Sequence, residues 1–485
     1  MTDPFETPAW VHHAVFYQIF PDRFAPSKKI VKPNNLEPWL SPPTPYGYKG
    51  GDLLGIYEKL DYLQDLGINA IYLNPIFQSA SNHRYHTHDY MKVDPMLGGN
   101  AALKKLLKGA HKRNMHVVLD GVFNHCSRGF FQFNDILENG PQSAYVDWFD
   151  IRGYPLNAYN GEPNYRCWWG LPALPEFNTD NPQVRDYIFS VAKYWVDQGI
   201  DGWRLDVPFE IDDDTFWQEF RRVVKNANPE AYINGEIPMD ASKWLTGDQF
   251  DGVMNYLLSY GIWLYFGGND ADQESLGHWL THAPGMGVLD LQKFVTHIEK
   301  MLTIYPKPAV FAQMNLLDSH DTTRFITTLK GRKDLYLLAV LFYMTYPGAP
   351  SIYYGDEIGL DGCNDPDCRK SFPWDDHMWD TDILGFYQKC ISIRHAHPAL
   401  RTGEFKTLYA KDDVMVYLRH LDQDQVLVAF NRSPQTQHVN LPVHHLFANG
   451  SVLKHELASG VFAIQDGMID DLTLAPFSGV VLSKV

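Results

Sequence analysis

NPQVRDYIFSVAKYWVDQGIDGWRLDV, residues 181–207, holds a complete helix-then-strand unit, and the fold follows from how often that unit recurs. Asn181 is a good N-cap and Pro182 suits the first helical position, so the spacing predicts a helix over 181–199. The apolar run GWRLDV (202–207) then predicts a strand that closes on a carboxylate. Toward the N-terminus, AVFYQIF (14–20), INAIYL (68–73) and MHVVLD (115–120) predict three earlier strands. Helical spacing lies between them at 52–67, with Gly67 as C-cap, and at 101–114, whose basic last turn suits the helix dipole. Toward the C-terminus, YINGEI (232–237), FDGVMNY (250–256), AQMNLLD (312–318) and SIYYGDEIG (351–359) bring the strands to eight. Such alternation predicts a closed parallel (β/α)8 TIM barrel. The rival, a doubly wound sheet, lacks a Gly-rich turn after its first strand. Residues 122–178, rich in aromatics, Asn, Gly and Pro, predict a subdomain inserted after strand 3, which leaves the barrel over 1–121 and 179–403. Residues 404–485 alternate between turns and predict a C-terminal antiparallel β-sandwich.

The composition narrows the function classes. Of 485 residues, 45% are hydrophobic and 20% charged, which suits a large globular core and excludes a disordered chain. The formal charge of −17 argues against nucleic acid and against an anionic membrane surface as partners. No apolar run reaches the ~18 residues a membrane span needs, and MTDPFETPAW does not look like a signal peptide. The five cysteines are odd in number and widely spaced, unlike a secreted disulfide framework. Cys363 and Cys368 find no second pair to complete a zinc site, so no metal or other cofactor is expected. These features predict a cytoplasmic chain and leave open whether it forms a homo-oligomer.

In a parallel barrel the chemistry sits at the C-terminal ends of the strands, where polar residues should close apolar runs. Asp120, Asp206, Glu236 and the stretch Asp318 to Asp321 do so. Arg204 and Asp206 are two apart and share one face of a strand, so the arginine holds the aspartate ionised, as a nucleophile requires. Asn234 and Glu236 repeat the relation on the next strand. A retaining glycosidase needs one carboxylate to attack the sugar and a second, protonated, to release the leaving oxygen. Asp206 and Glu236 can supply that pair, with Asp321 as a third carboxylate that stabilises an oxocarbenium-like transition state. A buried structural ion pair is the plainer alternative for Arg204 and Asp206 taken alone.

DGVFNHC (120–126), DGWRLDVPFE (201–210), INGEIP (233–238) and LLDSHDTTRF (316–325) together resemble the α-amylase family of glycoside hydrolases. SNHRYHTHDY (81–90), GGD (50–52) and YGDEIGLDGCNDPDCRKSFPWD (354–375) are similar to its cyclomaltodextrinase, maltogenic amylase and neopullulanase branch, here without that branch's N-terminal domain. The resemblance implies a glycosidase that cleaves α-1,4 bonds, with α-1,6 bonds as a further option, in maltooligosaccharides, cyclodextrins or pullulan with retention. Transfer or isomerisation through the same intermediate is the alternative, and a non-catalytic amylase-like binding protein a distant one. It implies that Asp206 is the nucleophile, Glu236 the general acid/base, Asp321 the transition-state stabiliser and Arg204 the nucleophile's orienting partner. His125 and His320 would hydrogen-bond the sugar next to the scissile bond, Tyr85 would stack on it with His83 near, and Asp365 and Arg369 would contact the glucan further along. Asp120 would support these groups from behind. Relatives of this branch often bind calcium through an Asn/Asp-rich stretch after the first strand. Here PDRFAPSKKIVKPNN carries Lys28 and Lys29 instead, and a hard cation wants several oxygens, so calcium is disfavoured. VPFE (207–210) and Pro238 depart from the family's usual VANE and Trp near the leaving sugar.

Overall fold

The helix expected at 181–199 runs Pro182–Asp197, with the Asn181 side chain accepting the Gln183 N–H at 2.9 Å. The strand expected after it is Gly202–Leu205. The computed structural model describes residues 5–484, apart from the side chain of His278. The chain divides into two compact units, one of residues 5–8, 16–254 and 369–374, the other of 9–15, 255–368 and 375–484.

The first unit holds β1 (Phe16–Ile19), β2 (Ala70–Leu73), β3 (His116–Gly121), β4 (Gly202–Leu205), β5 (Tyr232–Gly235) and β6 (Gly252–Val253). Each pairs in parallel with the next. Their residues are buried on both faces apart from His116 at the start of β3, which is why apolar residues follow one another without alternation. The second unit holds β7 (Met314–Leu316) and β8 (Ala349–Tyr353), again parallel. Together the two units supply the eight parallel strands of the barrel that the alternation predicts.

Several expected boundaries are corrected. The segment 52–67 forms two helices, Leu53–Glu58 and Leu60–Leu66, which break at Lys59. Gly67 does end the second, at φ 94°. The helix expected at 101–114 is Gly99–His111. The strands are shorter than their apolar runs: β4 stops at Leu205 rather than 207, and β5 at Gly235 rather than 237. Past those points the backbone turns toward the functional groups, and a run of residue types does not register a turn.

In the second unit, Asp380 caps the helix Thr381–Ala396 by accepting the N–H groups of Asp382 and Ile383. Beyond it lie β9 (Glu404–Lys411), β10 (Val414–Leu421), β11 (Asp424–Asn431), β12 (Gln437–Pro442), β13 (Val452–His455), β14 (Val461–Ala463), β15 (Met468–Leu474) and β16 (Ser478–Lys484). They form an antiparallel sheet, β9-β10-β11-β16-β13-β14, and the pair β12-β15. Asp412 and Asp413 join β9 to β10 with both φ angles positive, 53° and 57°, as a two-residue hairpin turn demands. Val416, Leu418, Leu427, Ala429, Leu441 and Leu472 fill the core between the two layers.

Candidate active site

The parallel register places Asp120 opposite Arg204 and Arg204 opposite Asn234, so adjacent strands present these side chains at one level. Asp206 and Glu236 follow two residues further along. The Asp206 N–H donates to the Gly121 carbonyl at 3.1 Å and the Glu236 N–H to the Leu205 carbonyl at 2.9 Å, so strand pairing still positions both beyond the regular strands.

Arg204 is the hub. It is fully buried, and its Nη1 donates to Asp120 Oδ1 at 2.9 Å, Asp120 Oδ2 at 3.1 Å and Asp206 Oδ1 at 3.0 Å. Nη2 lies 2.6 Å from Glu236 Oε1, a charge contact more than an aligned hydrogen bond. One guanidinium therefore braces both proposed catalytic carboxylates. Burial opposes the cation, yet Asp120 and Glu236 outweigh it and push the Arg204 pKa further up. Between the carboxylates, Val207 sits in the left-handed region at φ 37°. A β-branched residue before a proline rarely adopts that conformation. It aims the Val207 N–H at Glu236 Oε2, 3.1 Å away.

Burial pushes the Glu236 carboxyl up against the opposing pull of Arg204 and the Val207 N–H, and Asp120 adds to the rise. Burial likewise pushes Asp120 up, with Arg204, Tyr72 and Tyr85 opposing.

A polar relay that the residue pattern does not announce supports this hub. Tyr72 and Tyr85 both donate to Asp120 Oδ2, at 2.6 and 2.9 Å. Asn74 donates to the Tyr85 hydroxyl at 3.1 Å, and Gln18 to Asn74 Oδ1 at 3.1 Å. Gln18 is opposite Tyr72 in the β1–β2 register. The same two-residue parity that picked out Arg204 and Asp206 also relates Tyr72 to Asn74. Tyr85 comes from a loop pinned by the buried pair Arg84–Asp94 at 3.1 Å, with Arg84 at φ 62°. His83 stacks on Tyr85 at 5.7 Å between ring centroids. Burial first, then His86 and Arg369, drives the His83 pKa well down.

His125 is 1% exposed and bridges to Glu176 as an antiparallel pair. Burial lowers its pKa to about 3, so it is a neutral imidazole. Its Nε2 has no hydrogen-bond partner among the described residues, the condition of a buried polar atom that awaits a ligand. Arg369, also in this unit, is buried with its guanidinium 5.4 Å from the Phe20 ring centre.

The second unit carries the remaining expected residues. His320 is buried with Nε2 3.1 Å from Asp321 Oδ2, and the Asp321 side chain is 29% exposed. The Asp321 carbonyl accepts from Trp279 Nε1 at 3.2 Å. Arg324 anchors the motif through Asp356 Oδ1 at 2.6 Å and the Tyr354 and Cys368 carbonyls. Burial pushes the Asp318 and Asp356 carboxyls up, and Asp318 Oδ2 accepts the Phe325 N–H at 2.6 Å. Asp365 is exposed, two residues before the short turn Asp367–Arg369.

The segment that would hold calcium does not fit a cation. Asp52 Oδ1 caps a helix by accepting the Gly55 N–H, and Oδ2 accepts from the Ser27 backbone N–H and hydroxyl. The Lys32 ammonium lies 3.0 Å from Oδ2 and donates to the Met96 carbonyl at 2.5 Å. A lysine already supplies positive charge there, and the Asp52 oxygens are taken up by the Ser27 and Gly55 donors.

Residues 18–403 match the family described as Alpha amylase, catalytic domain, and 405–482 match Neopullulanase-like, C-terminal domain. The chain belongs to the α-amylase family. A cyclomaltodextrinase from a Bacillus species is 47% identical over 433 residues, which are 88% of this chain and 74% of that relative. The structure of Ttha1563 from Thermus thermophilus superposes with a TM-score of 0.92 at 44% identity, covering 98% of this chain and all of that one. The debranching enzyme from Nostoc punctiforme superposes with a TM-score of 0.88 at 48% identity, covering 99% of each chain. This member of the α-amylase family is an α-glucan-acting glycosidase. Among its described residues no helix is long and apolar enough to cross a membrane.

Proposed function

We propose that the enzyme hydrolyses the α-1,4 glucosidic bonds of maltooligosaccharides and cyclodextrins, and also the α-1,6 bonds of pullulan and of branches, with retention of anomeric configuration, through a covalent intermediate on Asp206. The single observation that carries this is the Arg204 fork, which braces Asp206 on Nη1 and Glu236 on Nη2 at neighbouring strand ends. Asp206 attacks the anomeric carbon while Glu236 gives its proton to the leaving oxygen, and the bond between that carbon and that oxygen breaks. Glu236, now a carboxylate, takes a proton from water, which attacks the same carbon and frees Asp206. Burial favours the protonated Glu236 that the first step needs. Asp321, positioned by His320, stabilises the developing positive charge. His125 Nε2 hydrogen-bonds the sugar, Tyr85 stacks on it, His83 backs Tyr85, and Asp365 and Arg369 hold the glucan beyond. The names of relatives that act on cyclic dextrins and on branches support both linkages. Five free cysteines, and a Bacillus subtilis relative named Intracellular maltogenic amylase, support a cytoplasmic location.

The test is a product profile on maltotriose, cyclodextrins, pullulan and a purely α-1,6 branch, with the anomer of the first product followed by NMR. Retained α-anomers and loss of at least ~10³-fold in kcat for Asp206→Asn are expected. A β-anomer as first product, or near-normal turnover by that variant, overturns the assignment.

A further inference from the structure

Outside the carboxylate hub, an aromatic stack runs from the buried histidine to the surface. The His125 ring stacks on Trp168, with centroids 5.1 Å apart and planes 19° from parallel. Trp168 stacks on Trp169 at 4.6 Å and 10°. Trp169 is 70% exposed, among the largest exposures of any aromatic side chain described. Its backbone is left-handed, φ 52° and ψ 25°, which costs a bulky residue steric strain. Strain of this kind persists where the surroundings enforce it, and it gathers at ligand sites.

The surroundings here are rigid. The Trp168 N–H donates to the Leu174 carbonyl at 3.0 Å, Gly170 to Cys167 at 3.2 Å and Leu171 to Trp168 at 2.9 Å. Cys167 bridges Pro175 and His125 bridges Glu176, so one short segment fixes the two tryptophans to the histidine. A second observation points to a ligand. The His125 Nε2 and the Trp168 Nε1 are both buried and have no hydrogen-bond partner among the described residues. Two orphaned ring nitrogens on stacked neighbours suit hydroxyl groups, and an indole face in water suits the C–H face of a pyranose.

We propose that Trp169, backed by Trp168, presents a stacking face for the glucose units of an α-glucan beyond the unit held at His125, and that Trp169 sets the preference for long over short chains. The proposal deepens the glycosidase reading above and rests on it for the ligand class. The platform ranks chain lengths through ground-state binding, so it moves KM more than kcat.

The test compares Trp169→Ala and Trp169→Tyr with the wild-type enzyme on maltotriose and maltoheptaose. The alanine variant is expected to raise KM for maltoheptaose about fivefold to tenfold, with kcat and the maltotriose KM within about twofold. The tyrosine variant keeps most of the long-chain preference. Indole fluorescence titrated with maltoheptaose on Asp206→Asn enzyme reads occupancy without turnover. That titration is expected to show a saturable change, which Trp169→Ala in the same background weakens. Folded Trp169→Ala enzyme with an unchanged ratio of KM values and an unchanged titration overturns the platform. A wild-type enzyme that cleaves no glucan overturns the glycosidase reading, while the titration still decides the platform.

Discussion

Arg204 touches Asp120, Asp206 and Glu236 at once, so the roles of the two proposed catalytic carboxylates depend on how one cation is shared. Glu236→Gln is expected to cut kcat on maltotriose by roughly 10²–10⁴-fold, the range of general acid catalysis. The loss should nearly vanish for the first step of a maltosyl fluoride, whose leaving group needs no proton. Stopped-flow release of fluoride checks this, and an equal loss on both substrates argues that Glu236 holds structure only. Asp120 contributes to the raised Glu236 pKa and also competes for Arg204. Asp120→Asn should therefore lower that pKa. A general acid works below its pKa, so the alkaline limb of the kcat/KM profile should move to lower pH, and a pH series measures it.

At the scale of elements, parity along β4 was legible because Arg204 and Asp206 are both charged, whereas Tyr72 and Asn74 read as ordinary strand-end residues. Their relay to Asp120 spans residues 18, 72, 74, 85 and 120, which strand pairing and the loop that carries Tyr85 bring together. Trp168 was hidden for a related reason: aromatic richness in 122–178 does not say which ring meets His125. The junction of Lys32 and Asp52 is another element-level feature. Asp52 is fully buried, and Lys32→Met leaves its carboxylate without a cation. The remaining donors from Ser27 and Gly55 soften the loss, so a destabilisation of about 2–3 kcal/mol is expected, below the usual range for a broken buried pair. Urea unfolding checks it, and a chelator should leave the wild-type midpoint in place.

Over the whole molecule, pH should act on stability through the buried histidines. Burial lowers His125 to about 3 and His86 to about 4. The unfolded chain then binds protons that the folded one refuses, so stability falls as pH drops from about 6.5 toward those values. The raised carboxyls Glu236, Asp120, Asp318 and Asp356 act oppositely, since their folded forms hold protons above the usual carboxylate pKa. Comparison of wild type with His125→Asn isolates the histidine. The difference in unfolding free energy between pH 7 and pH 5 should shrink by roughly 1–2 kcal/mol in the variant. An unchanged difference means that the folded protein tolerates the charged imidazole.

The order of β and α segments, the carboxylates that close the strands and the family motifs were all properties of the linear chain. Periodicity and motif spacing are local, so residues near one another in sequence suffice to determine them. Tertiary structure alone decided that one guanidinium is shared by three carboxylates, that a lysine stands against Asp52, and that a strained tryptophan lies on the ring stack from His125. Each of these joins side chains tens of residues apart, and their energies come from burial and close contact, which exist only once the strands have paired.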